Sequence, residues 1–380
     1  MSKTNIGFLL LLGIIILLML GACGRTPVEA LEPPTDPTTI EIATTIPLPT
    51  PPPIITTPPP TTPPPPESPP PGFLINPITG LYIAEDAAAR RPFAVVFGNE
   101  SRSLPQSGLP QACIIYEVLA EGATTRIIAI FSDFDAPAIG PVRSSRQYFN
   151  NFAHDHGAIL VRHGGSHLAY AAIAAQGLSD INGMRYEGSV FWRDNERRRT
   201  RGLEHSSFTS AQNLINTAQT RGITAPIDTP AMFAFFDTPT NPAPNNPANA
   251  VTIPFAGTNA PHFRFDEASG LYYKYIFGSR HMDEASGEQL AVTNIIVQIT
   301  NIRHIAGDAE GRRAVDLVGS GAGYLFTGGG YMPITWEKTS TTSPTRWFDS
   351  NGNILTINRG QTWVNVINTS PVIINVDRGG

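Results

Sequence analysis

Hydrophobic residues are distributed unevenly along the 380-residue chain. An almost unbroken apolar run covers 6–19, and a stretch dominated by proline and threonine follows over 24–71. Beyond it, short apolar runs alternate with glycine, asparagine and serine turns. Because the proline-rich stretch has no apolar periodicity from which to build a core, about 310 residues remain for folded structure, enough for two ordinary domains.

Residues 73–240 mix strand and helix patterns, which predicts a layered α/β amino-terminal domain. The segment 158–161 is followed by Gly164-Gly165-Ser166 and an alanine-rich run, an order that predicts a strand, a turn, a serine cap and a helix. The predicted strands are 93–97, 114–120, 126–131 and 158–161, and the predicted helices are 144–152, 168–176 and 209–220.

Helical patterns disappear in the last third of the chain. The segment 241–260 holds many Pro, Asn and Ala residues, which predicts a linker. The segment 261–380 predicts a β-rich carboxy-terminal domain, a small barrel or sandwich, in an α+β or α/β chain. Its predicted strands are 262–265, 271–275, 293–300, 314–318, 324–327, 331–336, 354–358 and 362–367.

The amino terminus predicts the cellular location. Lys3 precedes the apolar run, which has the length of a signal sequence and is short for a membrane span. The run ends in Leu20-Gly21-Ala22-Cys23, a lipobox, so 1–22 is predicted as a signal peptide and Cys23 as the lipid-accepting thiol. An uncleaved membrane anchor is the alternative. Either way, the sequence predicts a cell-membrane protein on the extracytoplasmic side.

Residues 23–72 are predicted to form a disordered stalk that begins at the lipidated Cys23. Proline fixes φ and lacks an N–H donor, so such a segment favours an extended polyproline II spacer over a packed core. The net charge of −5 and the pI near 5.9 argue against nucleic acid as a partner. The second cysteine, Cys113, lies in an apolar run and is predicted to be a buried core residue.

The folded part contains characteristic motifs at 76–81, 91–95, 105–109, 116–122, 139–146, 163–166, 287–290, 315–321 and 360–363. Together they resemble the YerB-type family of bacterial lipoproteins. The resemblance covers nearly all of 73–368 and implies an α/β amino-terminal domain and a β-rich carboxy-terminal domain. It implies no reaction, because the family is defined as a domain of unknown function.

The densest group of basic residues predicts a ligand site. The candidate ligand-binding residues are Arg143, Arg146, Arg162, His163, Ser166 and His205, and arginines at 193, 197–199 and 201 extend the group. Arg143 and Arg146 are predicted to share the first turn of a helix, where free N–H groups and guanidinium groups would bind an anion together. The alternative is a structural network in which these two arginines pair with Glu117, Glu121 or Asp133.

Other chemistry is less specific in this sequence. Trp192, Tyr170 and Tyr148 could stack on sugar rings or lie in the core. The sequence His154-Asp155-His156 fits no fixed zinc pattern, so neither a metal nor a cofactor is predicted. We therefore expect a non-catalytic lipoprotein that binds an anionic or glycan ligand of the cell envelope. The alternatives are an envelope enzyme acting on a phosphate-linked or cell-wall polymer, and a scaffold that binds envelope proteins.

Overall fold

The computed structural model of the protein describes residues 68–255, 260–369 and 374–378. The predicted signal peptide, Cys23 and all of the predicted stalk before residue 68 lie outside the described residues. Within the described part of the chain, no helix is both long enough and apolar enough to span a membrane.

The described residues form six short helices and twenty-four strands. The helices are α1 Glu85–Ala88, α2 Phe149–Asp155, α3 His167–Gln176, α4 Gly183–Tyr186, α5 Asn195–Arg201 and α6 Ala211–Thr220. Strands of the first half are β1 Phe73–Ile75, β2 Tyr82–Ala84, β3 Phe93–Gly98, β4 Ile114–Glu121, β5 Thr124–Phe131, β6 Ile159–Arg162, β7 Asp180–Asn182, β8 Trp192–Arg193, β9 Ser207–Phe208, β10 Ala234–Phe235 and β11 Ala250–Thr252. Strands of the second half are β12 His262–Asp266, β13 Leu271–Ile276, β14 Ser279–Arg280, β15 Ala291–Val292, β16 Asn294–Thr300, β17 Ile302–His304, β18 Arg313–Val315, β19 Gly319–Thr327, β20 Gly330–Lys338, β21 Arg346–Phe348, β22 Thr356–Ile357, β23 Thr362–Asn368 and β24 Asn375–Asp377.

A single ten-stranded mixed sheet runs through both halves of the chain. Its strand order is β21-β20-β19-β16-β23-β4-β5-β3-β6-β7. The two halves meet where β23 pairs in parallel with β4, from Thr362 opposite Ile114 to Val366 opposite Val118. The predicted α+β class is confirmed, and the predicted boundaries at 240 and 261 stay predictions.

A second sheet covers one face of the first. It has the order β14-β13-β12-β11-β24, and β15 also pairs with β13. Phe263 and Tyr272 of this sheet share a buried core with Phe97 and Trp363 of the ten-stranded sheet. The strands of the second half are therefore divided between two sheets and do not close into a small barrel of their own. Strand β11 lies inside the segment predicted as a linker.

A fully buried ion pair joins the two sheets. Lys274 Nζ of β13 lies 3.4 Å from Glu117 Oε2 of β4, and neither side chain is exposed. The Glu117 carboxylate also accepts hydrogen bonds from Asn99 Nδ2 at 2.8 Å, Thr125 Oγ1 at 2.9 Å and Trp363 Nε1 at 3.2 Å. Burial lowers the pKa of Lys274, and Glu117 opposes this shift. The carboxylate is well satisfied, and Lys274 is its one cationic partner in the described chain.

The local signals around α3 are confirmed, and those around α2 are not. Ser166 caps α3 by accepting a hydrogen bond from Ala169 N at 3.1 Å, and Gly177 closes the helix with φ of 60°. The helix predicted from 144 begins only at Phe149. Arg143 N donates to Val96 O at 2.8 Å and Ser145 N to Gly164 O at 3.2 Å, so this segment is held extended against distant parts of the chain. The prediction that Arg143 and Arg146 occupy a first helical turn is wrong.

Candidate functional site

The structure brings most of the predicted ligand-binding residues together. The extended segment 143–146 runs beside 163–166, with His163 N donating to Arg143 O at 3.0 Å and Ser166 N to Ser145 O at 3.2 Å. The Arg143 side chain reaches His205, whose Nδ1 lies 3.1 Å from Arg143 Nη1. Because the contacts are between backbones as well as side chains, the arrangement is fixed by the fold.

Each of the three predicted arginines is paired with a carboxylate. Arg143 pairs with Glu100, Arg146 with Glu121, and Arg162 Nη2 lies 2.7 Å from Asp180 Oδ2. The Arg146 pair is one that the structural-network alternative names.

Glu100 stays ionised beside Arg143. Burial alone would raise the pKa of Glu100, but Arg143 and its other neighbours lower it below its ordinary value. The carboxylate therefore neutralises Arg143. The three arginines lie below the surface in ion pairs, and the paired carboxylates largely cancel the positive charge that a ligand could bind.

His163 is held as a neutral imidazole with a defined tautomer. Arg193 Nη2 lies 2.8 Å from His163 Nε2, and an arginine can only donate, so Nε2 accepts. The proton then lies on Nδ1 and is donated to Ser207 Oγ at 2.7 Å. Burial, with Arg193, lowers the pKa of His163 to about 4. An imidazole with its proton already facing Ser207 cannot take the hydroxyl proton of that serine.

His205 and Ser166 also have structural partners. Ser103 Oγ lies 3.0 Å from His205 Nδ1, but Ser103 is completely buried and offers no approach to a substrate. Burial is the main cause that lowers the pKa of His205. The Ser166 hydroxyl is occupied as the cap of α3.

The side chains of 154–156, a segment that fits no fixed zinc pattern, contact different partners. Asp155 pairs with Lys338 at 2.5 Å, and His156 Nε2 lies 2.8 Å from the Tyr116 hydroxyl. Across residues 68–255, 260–369 and 374–378, no group of three or more His, Cys, Asp or Glu side chains could hold a metal ion.

Three other arginines, at the surface, have no carboxylate partner among the described residues. Arg102, Arg185 and Arg198 are exposed, and in the described chain none has a carboxylate within 4.0 Å. Three large apolar side chains are exposed in the same segments, Met184 at 66%, Leu203 at 50% and Trp192 at 37%. We call these six residues the arginine face.

Contacts of Arg193 and Glu187 connect the segments that carry Trp192, Leu203 and Arg198. Arg193, next to Trp192, donates from Nη1 to Leu203 O at 2.8 Å. Its hydrogen bond to Glu187 is the main cause that lowers the pKa of Glu187, and Arg198 contributes to the same shift.

Sequence reasoning included Arg198 and Trp192 but missed the other members of the face. Arg102 lies in the turn after β3, far along the chain from the other arginines, and no local pattern distinguishes Arg185, Met184 or Leu203. Only the packing of the 101–103 turn against α5, through Arg197 Nη1 and Ser103 O at 3.2 Å, places Arg102 beside this helix.

Profiles of a two-domain family match most of the chain. The amino-terminal domain of the protein family of unknown function DUF3048 matches 78–224, and its carboxy-terminal domain matches 251–364. The chain therefore belongs to the DUF3048 family.

The chain is similar to YerB of Bacillus subtilis (strain 168), which its name describes as a lipoprotein. The two sequences are 31% identical over 296 residues, which cover 77% of this chain and 85% of YerB. The crystal structure of the YerB protein from Bacillus subtilis superimposes with a TM-score of 0.66 at 30% identity, over 77% of this chain and 96% of that chain. The resemblance to YerB-type proteins predicted from the motifs is confirmed.

Proposed function

We propose that this protein is an extracytoplasmic lipoprotein, anchored in the cell membrane by lipid on Cys23, whose arginine face binds an anionic ligand of the cell envelope. The lipobox and the lipoprotein name of the related YerB support the anchor. The observation that carries the binding proposal is that three arginines are exposed without a carboxylate within 4.0 Å in the described chain, and that three large apolar side chains are exposed in the same segments, in a chain whose net charge is −5.

The chemistry of the face favours a ligand with several negative charges. One exposed ion pair contributes only about 0.2–1 kcal/mol, so a single charge would bind weakly. Three contacts to one ligand together amount to roughly 1–3 kcal/mol, and the planar guanidinium group matches phosphate and carboxylate oxygens. Exposed Met184 and Leu203 add apolar area that would be buried against the ligand. An anionic envelope polymer has this combination of repeated charge and carbon framework.

The test is the affinity of the full-length protein, in detergent, for inorganic polyphosphate as the anionic probe. The triple variant Arg102→Ala/Arg185→Ala/Arg198→Ala is expected to bind roughly 5–150-fold more weakly, as three lost contacts predict. The matched control is Arg280→Ala/Arg346→Ala, which removes two exposed arginines of the second half that have no carboxylate within 4.0 Å in the described chain.

Unchanged affinity of the triple variant, or an equal loss in the control variant, would contradict the proposal. An uncharged glycan ligand would give a different pattern. The Trp192 ring is partly exposed and stacks on Phe208, with 6.3 Å between the ring centroids. Glycan binding would therefore be lost in Trp192→Ala and retained in the triple arginine variant.

A further inference from the structure

A cavity of about 180 Å³ opens between the first half of the chain and the loop after β20. Its polar lining comes from Arg91, His154, Ser179, Asp228, Thr229 and Thr342. None of these residues belongs to the arginine face, so the cavity is a separate feature of the molecule. Residues of both halves of the chain line it, and a bound ligand would contact both.

Arg91 places a buried positive charge in this cavity. Only 8% of the residue is exposed, and within the described chain no carboxylate lies within 4.0 Å of it. Its Nε donates to Gly157 O at 2.8 Å, Nη2 to Ala158 O at 3.1 Å and Nη1 to Ser179 Oγ at 3.1 Å. A guanidinium group has five N–H donors, so one N–H on each terminal nitrogen is left for another acceptor.

The neighbouring groups are also suited to an anion. His154 lines the cavity beside Arg91. Burial, with Lys338 and Arg91, lowers the pKa of His154 against a hydrogen bond with Gln176, so the imidazole is neutral and does not repel the guanidinium group of Arg91. The Thr342 hydroxyl supplies a further donor from the second half.

We propose that this cavity binds a small carboxylate, whose two oxygens accept the two remaining N–H groups of Arg91. The planar guanidinium group and the planar carboxylate match in a bidentate contact. A cavity of 150 Å³ admits a molecule the size of benzene, so this one holds a carboxylate of roughly three to eight non-hydrogen atoms. Asp228, exposed on the lining, weakens the site by like charge.

The experiment compares acetate with acetamide, its uncharged analogue, on the full-length protein at constant ionic strength with chloride as the balancing anion. Acetate is expected to bind and to raise the melting temperature, and acetamide is not. Arg91→Gln should weaken acetate binding roughly tenfold or more, because a hydrogen-bonded charge is lost.

Asp228→Asn is expected to change the acetate affinity in the opposite direction. Because Asp228 is exposed, this substitution should not impair folding. It should strengthen acetate binding by roughly two- to fivefold, because the repelling carboxylate is removed. The triple variant of the arginine face should bind acetate like the wild type. Absence of acetate binding, equal binding of acetamide, or an unchanged affinity in Asp228→Asn would overturn the proposal.

Discussion

Replacing Lys274 with methionine is expected to lower the free energy of unfolding by about 3–5 kcal/mol, because it leaves the Glu117 carboxylate buried between two sheets without a cation. Methionine is close in length to lysine, so packing against Trp363 changes little. What is lost is the charge, which lies 3.4 Å from the carboxylate and 4.5 Å from the centre of the Trp363 ring.

Denaturant unfolding of the variant and two controls measures this effect. Arg303→Met removes an exposed, solvent-screened pair with Asp316 and should leave the free energy of unfolding nearly unchanged. The double variant Lys274→Met/Glu117→Gln should recover much of the loss, because the neutral amide no longer needs a cation. A Lys274→Met variant as stable as Arg303→Met would show that the buried pair does not hold the two sheets together.

Replacing Cys23 with alanine is expected to abolish lipidation completely, because its thiol is the only acceptor in the lipobox. The expected product is a full-length, unacylated precursor. Intact mass and detergent-phase partitioning measure both properties.

Cys113→Ala is the matched control, because it removes the other cysteine, which is buried in the folded part. This variant should be acylated and processed normally. A Cys23→Ala protein that is still cut and still carries lipid would exclude the lipoprotein assignment.

The sequence predicted those parts of the fold that local signals determine. The hairpin of β4 and β5 and the capped helix α3 each depend on residues close together in the chain, such as Ser166 and Gly177. The predicted start of α2 was wrong because the backbone N–H groups of Ser145 and Arg143 donate to the carbonyls of Gly164 and Val96. These are long-range contacts that a local sequence pattern does not reveal. The pairing of β23 with β4 joins residues about 250 positions apart and could not be predicted from the sequence either.

The sequence predicted that most of the candidate residues lie together, but it did not predict their charge balance, and their role in binding stays a prediction. The sequence placed His163 beside Arg143, as the structure does, but the carboxylates that neutralise the arginines come from distant positions. Glu100 follows β3 and Asp180 begins β7, and both reach their arginines only after the sheet has formed. An arginine can bind an anionic ligand only if no carboxylate of the protein already pairs with it. Only the folded structure therefore indicates that Arg102 and Arg198 lie unpaired at the surface.

The salt dependence of polyphosphate binding is the sharpest test of anion binding by the arginine face, because each arginine that contacts a linear polyanion releases counterions from it. The logarithm of the affinity should fall linearly with the logarithm of the salt concentration. For Arg102→Ala/Arg185→Ala/Arg198→Ala, the slope should be smaller by about two to three. An identical slope in the wild type and the triple variant would contradict the account, because other residues would then be holding the polymer.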